Sequence, residues 1–412
     1  MNLDFAKRRI SSALNLVEHI SQDDFPYDHP RDALRIMSSV LSNYITDFND
    51  ADTFKVKIPI QQLCMVSLET LFLYQPIIGF ILRSINARNS FELYPALLRL
   101  CRMLFGPSTK LILSSEWEFS PYTFYTLPSE LSAFTLIGMP SSESSNPLLI
   151  PLAGHEIGHS AWKRLALRDK LSSKFYKSVL AELKGKSWND FNAFYPYFSK
   201  VDLDLVARHA WIDAVDFALY QAEEIFCDLF GLRIFAESYL YALEYLLSPG
   251  FRGSRTVLYP SMSNRISNLC NMANTLDVII PKQYIAGFVP EDKPGDDATG
   301  LLLRVADIVS QKNVNYISNK VTEYANAKRI PFRDHIRVKE IQHLFQDFII
   351  PVQQSETFVD IINAAWLCRL DSTFLSSHIN VHESERYRVL NDLVFKSLEI
   401  VEILQVTSEE AD

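Results

Sequence analysis

Glycine is scarce in this chain: 12 of 412 residues, about 3%, against roughly 7% in an average protein. A sheet-rich fold draws on glycine at its turns and bulges. The shortage, beside abundant Leu, Ala, Ile and Glu, therefore predicts a mainly α fold. Cysteine is sparse too. Cys64, Cys101, Cys227, Cys270 and Cys368 contain no CxxC pair, which argues against a disulfide framework and a cysteine-based zinc knuckle and reads as buried free thiols in a reducing compartment. No long run of lysine and arginine occurs, and the formal charge is 40 minus 49, or −9, which disfavours the phosphate neutralisation that drives nucleic-acid binding. Long apolar runs are missing as well. The most apolar stretch, 66–82, carries Glu69, Gln75 and Pro76 and is shorter than the ~20 residues of a membrane span, so it reads as a buried helix. The first twenty residues lack the apolar segment of a signal peptide. The expectation is a cytoplasmic protein with no membrane and no nucleic-acid partner.

What is present is ordinary for a folded protein: 48% hydrophobic and 22% charged residues, which excludes disorder. Apolar residues recur at helical spacing in 1–107, as in Ile10, Leu14 and Val17 or Leu97, Leu100 and Leu104. Short apolar runs at 111–113 and 134–137, bounded by Ser and Pro, read as strands. A helix is expected to open at Pro147 or Pro151 and another to span 205–235. Segments 301–349, 358–370 and 383–404 again have helical texture, and loops fall at 248–253 and in the acidic stretch 290–297. The expected organisation is an N-terminal helical region (1–107), a core (108–280), an acidic linker (281–300) and a C-terminal helical region (301–412).

One segment carries chemistry. His155-Glu-Ile-Gly-His159 is an HExxH sequence inside an expected helix. Residues four apart lie ~6 Å apart along the axis on one face, so two imidazoles reach one tetrahedral Zn²⁺. Glu156, rotated by about 100°, is then placed to take a proton from a water the metal activates. The apolar flanks, PLLIPLAG before and Ala161-Trp162 after, make two buried histidines and a glutamate costly without a partner. Gly158 in mid-helix, about 1 kcal/mol worse than alanine, suggests close approach by another element. A third ligand is required. Trp162 and Leu165 stand where a metzincin would have Gly and His, which excludes that class. The gluzincin pattern takes a glutamate from a later helix with an acid four residues on. Glu224 and Asp228, within QAEEIFCDLFG, fit it, with Glu224 as ligand, Asp228 accepting a ligand histidine's Nδ1–H, and Glu223 as the rival ligand.

These blocks, followed by Tyr259-Pro-Ser-Met-Ser-Asn-Arg265-Ile266, resemble the HtpX-like and CAAX-prenyl-protease branch of the gluzincin metallopeptidases over about residues 108–275. The resemblance implies a zincin-like core, with active-site helix and small sheet, flanked here by helical regions and without the membrane helices of those enzymes. Tyr259 replaces the family's histidine as the oxyanion-side group, and Arg265 takes the place of the arginine that lines the site or buttresses the Glu224 helix. It also implies that 133–139 is an edge strand to which a peptide could add by backbone pairing.

The resulting expectation is a zinc peptidase. His155, His159 and Glu224 are metal ligands, Glu156 is the general base, and Tyr259 or Arg265 steadies the oxyanion. The substrate is a peptide or a specific protein, with endopeptidase action favoured because the exopeptidase signature GxMEN is absent. The alternative is a catalytically silent or occluded metal-binding module whose helical flanks hold a regulatory partner. Of the remaining histidines, His378 and His382 are four apart in polar surroundings and read as incidental.

Overall fold

Helix-favouring residues dominate the chain, and the computed structural model of the protein is mainly helical, with one two-stranded parallel sheet among the described residues. These are residues 3–54, 57–85, 92–124, 127–194, 205–248, 255–289, 296–352, 357–374 and 382–409. Contacts divide the chain into two units, Met1–Asn146 and Pro147–Asp412.

The first unit comprises α1 (Leu3–Ile20), α2 (His29–Phe54), α3 (Lys57–Ser84), α4 (Tyr94–Phe105), β1 (Lys110–Glu116) and β2 (Phe134–Pro140). Ile10 and Val17 of α1 and Leu34, Met37 and Leu41 of α2 turn their faces to Tyr74, Ile77 and Phe80 of α3 in one apolar core. Helix continues on both sides of the apolar stretch in α3. Ile60–Ser84 is therefore 25 residues long and apolar enough to cross a membrane by length and composition, which corrects the reading of 66–82 as too short; α1 and α2 partly bury it.

β1 and β2 form where expected and pair in parallel, Lys110 opposite Phe134 and Glu116 opposite Pro140. Their outer edges are already taken. Along β1, Tyr27 Oη bonds both the amide and the carbonyl of Leu113, and His29 Nδ1 accepts from the amide of Leu111. Along β2, Tyr122 bridges Gly138, and Thr123 Oγ1 donates to the carbonyl of Leu136. Peptide addition to 133–139 is thus corrected, because the Leu136 carbonyl and both backbone groups of Gly138 are already occupied on that edge.

The second unit opens with a 3₁₀ turn, Pro147–Leu152. Then come α5 (Ala153–Arg164), α6 (Leu167–Lys184), α7 (Trp188–Phe194), α8 (Leu205–Phe235), α9 (Glu237–Leu247) and α10 (Met262–Thr275). They are followed by α11 (Asp297–Gln311), α12 (Val314–Ala327), α13 (His335–Gln346), α14 (Phe358–Leu370) and α15 (Glu383–Glu409). α8 is the axis of this unit, with α5, α6, α10, α11 and α12 packed around it. Phe226, Cys227, Leu229, Phe230 and Leu232, pointing in all directions, are fully buried. In so deeply buried a stretch of helix, any acid must find a partner.

The expected core at 108–280 does not emerge as one unit. The strands group with the N-terminal helices, because α2, α3 and α4 pack on β1, and the division falls at 146/147 rather than 107/108. Nor does 281–300 split off the C-terminal helices. α11 and α12 pack on α8, and Trp366 Nε1 of α14 donates to the carbonyl of Leu148 at 3.0 Å. Residues 249–253 of the expected loop, 290–295 of the acidic stretch and His378 lie outside the described residues.

Candidate metal centre

The motif helix α5 lies against α8 at a contact that only small residues permit. A Cβ added at Gly158 would sit 2.8 Å from Cys227 Cα, so the glycine marks the close approach that the sequence suggested. This contact brings His155 and His159, with ring centroids 5.1 Å apart, against Glu223, Glu224, Cys227 and Asp228 of α8. Helical spacing aligns Glu223 with Cys227 and Glu224 with Asp228.

The imidazoles use their two nitrogens differently. His155 Nε2 lies 3.2 Å from Glu224 Oε2 and His159 Nε2 lies 3.7 Å from Glu224 Oε1, so both Nε2 atoms converge on one carboxylate. Each Nδ1 has its own acid: His155 Nδ1 is 2.9 Å from Asp228 Oδ1, and His159 Nδ1 is 2.9 Å from Glu223 Oε1. A carboxylate accepts only, so each Nδ1–H donates to its own acid, and Nε2 is the nitrogen that each ring turns to Glu224.

Asp228 is itself held. Arg265, from α10, donates through Nε at 2.5 Å and Nη2 at 2.8 Å, and Tyr239 Oη donates at 2.8 Å. Arg265 is thereby committed to buttressing α8, the second of the two roles expected for it. Tyr239 reaches the site through a chain reversal at Ala236 (φ 53°, ψ −132°), a conformation alanine tolerates only under restraint. Asn363 of α14 supplies that restraint: its Nδ2 donates to the carbonyl of Phe235 at 3.0 Å and its Oδ1 accepts from the amide of Ser238 at 2.9 Å. Gly231 leaves room for the tyrosine ring, which a Cβ there would meet at 2.4 Å.

Electrostatically the centre is starved of positive charge. Glu156, Glu223, Glu224 and Asp228 are all buried, and Arg265 is the guanidinium that faces them. Burial raises the Glu156 carboxyl above its usual range, opposed by the two histidines. For Asp228 the Arg265 charge and the bonds from His155 and Arg265 overcome burial and hold the carboxyl far below its usual range. Burial would depress His155, yet the bonds to Asp228 and Glu224 push it up to about 10. The acids thus hold a cation in the form of an imidazolium. A divalent ion accepting the Nε2 lone pairs would replace that proton, so the donor set fits a metal.

Cys227 belongs to the same group. His155, His159 and Cys227 are buried with ligand atoms all within 4.8 Å of one another, and could hold a metal ion. Burial, followed by the charges of Glu224 and Glu223, pushes the thiol well above its usual range. Tyr259 stands at the rim, 37% exposed, its ring 5.1 Å from the Arg265 guanidinium. The Glu224 charge, then burial, raises its hydroxyl, so the phenol keeps its proton.

The sequence-derived residues His155, Glu156, His159, Glu224, Asp228 and Arg265 are therefore brought together, with Tyr259 at the edge. Three participants escaped sequence reasoning. Cys227 was discounted for want of a CxxC partner, although it lies one turn from Glu224. Glu223 appeared only as a rival ligand, and Tyr239 had no signal beyond its place after α8. No protein-family model, characterised protein or solved structure matches the chain.

Proposed function

We propose that the protein is a zinc-dependent peptidase of the gluzincin type, acting as an endopeptidase on a specific protein substrate. The observation that carries this reading is the convergence of the His155 and His159 Nε2 atoms on the Glu224 carboxylate, with the Glu156 carboxyl buried within their field. Zinc held by His155, His159 and Glu224 would supply Lewis acidity, polarising a peptide carbonyl and acidifying water. Glu224 is the preferred third ligand over Cys227. Both Nε2 atoms already face the Glu224 carboxylate, whereas burial and the neighbouring acids hold the Cys227 thiol in its protonated, poorly ligating form.

The chain's own groups supply the rest. The Glu156 carboxylate, made more basic by burial, takes a proton from the attacking water and returns it to the leaving amine. The protonated Tyr259 hydroxyl donates to the carbonyl oxygen as negative charge grows. Asp228, pinned by Arg265 and Tyr239, keeps His155 in the tautomer that presents Nε2.

Metal analysis and a peptide library test this. Glu156→Gln should retain zinc and lose turnover by about 10²–10⁴-fold. Turnover at the wild-type level in that variant refutes the mechanism. The burial of the centre, with His155 and His159 each 8% exposed, favours a second reading: a site occluded until a regulatory partner opens it. Stoichiometric zinc with no peptide cleaved by the isolated protein supports occlusion, and broad peptidase activity excludes it.

A further inference from the structure

The proposed chemistry leaves one buried acid of the centre without a part. Glu223 and Glu224 are consecutive, so their side chains leave α8 about 100° apart. One turns to the Nε2 atoms, and the other, 8% exposed, places Oε1 2.9 Å from His159 Nδ1. This is the counterpart of the contact that Asp228 makes with His155. A carboxylate on the distal nitrogen of a ligand histidine fixes its tautomer, holds the ring in place and raises its basicity.

We propose that Glu223 is the positioning residue of His159, and that this contact governs how long the centre retains its metal. The inference rests on the metal reading above and deepens it. The two acids differ in how many bonds anchor them. Asp228 is itself anchored by Arg265 and Tyr239. Among the described residues, the bond recorded for Glu223 is the one to His159. Asp228 is thus a multiply anchored acid behind His155, and Glu223 a singly anchored one behind His159. Glu223 would then set how firmly His159 holds a bound ion and how fast that ion is released.

Zinc affinity and release are measured on the full chain by competition with a chromophoric chelator. Urea unfolding is followed in parallel in excess chelator. Glu223→Ala should weaken zinc binding 10–100-fold, chiefly through faster release. Glu223→Gln, whose amide oxygen still accepts from Nδ1, should recover most of that loss. Metal-free stability should fall in Glu223→Ala by less than the metal affinity does, and in Glu223→Gln it should stay close to the wild-type value. Wild-type affinity and release in Glu223→Ala overturn the proposal, as does an affinity loss matched by an equal loss of metal-free stability that Gln does not restore. Should Glu223→Ala fail to fold, Glu223→Gln carries the test through its release rate, which must exceed wild type's. Complete loss of zinc in Glu223→Gln with full retention in Glu224→Gln would make Glu223 the ligand and overturn it too. A folded wild-type protein that binds no zinc overturns the metal reading itself, and this inference with it.

Discussion

Replacing Gly158 with alanine asks whether the approach of α5 to α8 sets the centre's geometry. In an unobstructed helix the exchange stabilises by about 1 kcal/mol, because alanine has less backbone freedom to lose. At position 158 the new Cβ would lie 2.8 Å from Cys227 Cα, 3.1 Å from its Cβ and 3.2 Å from its Sγ. The nearest atom is backbone and has no rotamer to escape into, so the helices must part. Overpacking of this kind costs typically 1–3 kcal/mol, leaving a net loss of up to about 2 kcal/mol. Separation also moves the two Nε2 atoms, now 3.2 and 3.7 Å from Glu224, away from α8, so metal affinity should fall together with stability. Gly79 in α3 is the control. Its added Cβ would meet only Arg83 Nη1, at 3.5 Å, an ordinary contact, so Gly79→Ala should stabilise by up to about 1 kcal/mol. Urea unfolding by circular dichroism and chelator competition read both quantities. If Gly158→Ala stabilises as much as Gly79→Ala and leaves metal affinity intact, the reasoning fails.

Three further outcomes follow from the same geometry. Arg265→Ala strips the charge partner from a buried Asp228 and should destabilise by about 3–5 kcal/mol in chemical denaturation; Arg265→Lys should restore only part, since an ammonium lacks the two-pronged donor, and full restoration by Lys would contradict the fork. Cobalt-substituted protein should show no sulfur-to-metal charge-transfer band in the near ultraviolet; such a band, abolished in Cys227→Ala, would put the thiol in the ligand set instead of Glu224. Burial lowers the pKa of His29, helped by Arg102 and Lys110 and opposed by the Leu111 backbone bond and Asp32. The unfolded chain then binds this proton more readily, so the contribution to stability is present above about pH 6.5 and is lost as pH falls through the folded value. His29→Gln, which can still accept at the β1 edge, should flatten that part of the urea-midpoint dependence between pH 5 and 7; an unchanged slope would rule His29 out as its source.

Helix geometry alone made much of this protein legible. The four-residue spacings of His155 with His159 and of Glu224 with Asp228 set which side chains share a face wherever the helices lie. The helical texture of 205–235 marked α8 within the bounds expected, and Ile225, Phe226, Leu229 and Phe230 marked the core around its acids. Short runs between Ser and Pro marked both strands. Each of these is a local property, set by backbone periodicity and by the cost of burying an unpaired acid.

Which acid does what was a tertiary decision. Glu223 and Glu224 differ only by a rotation about the axis of α8, and the contact at Gly158 chose that rotation by bringing the helices to within a backbone's width. Tyr239 joined the centre through a strained alanine held by Asn363, more than a hundred residues further along, which no local pattern announces. The strands went to the N-terminal unit because the helices they pack against lie there, and Arg265 turned to Asp228 because a buried charge takes the nearest buried counter-charge. Sequence spacing thus determined which side chains could act together, since a helix carries its own geometry. Packing between distant segments decided their partners, since hydrogen bonds and ion pairs form between whatever groups the core leaves no other choice but to meet.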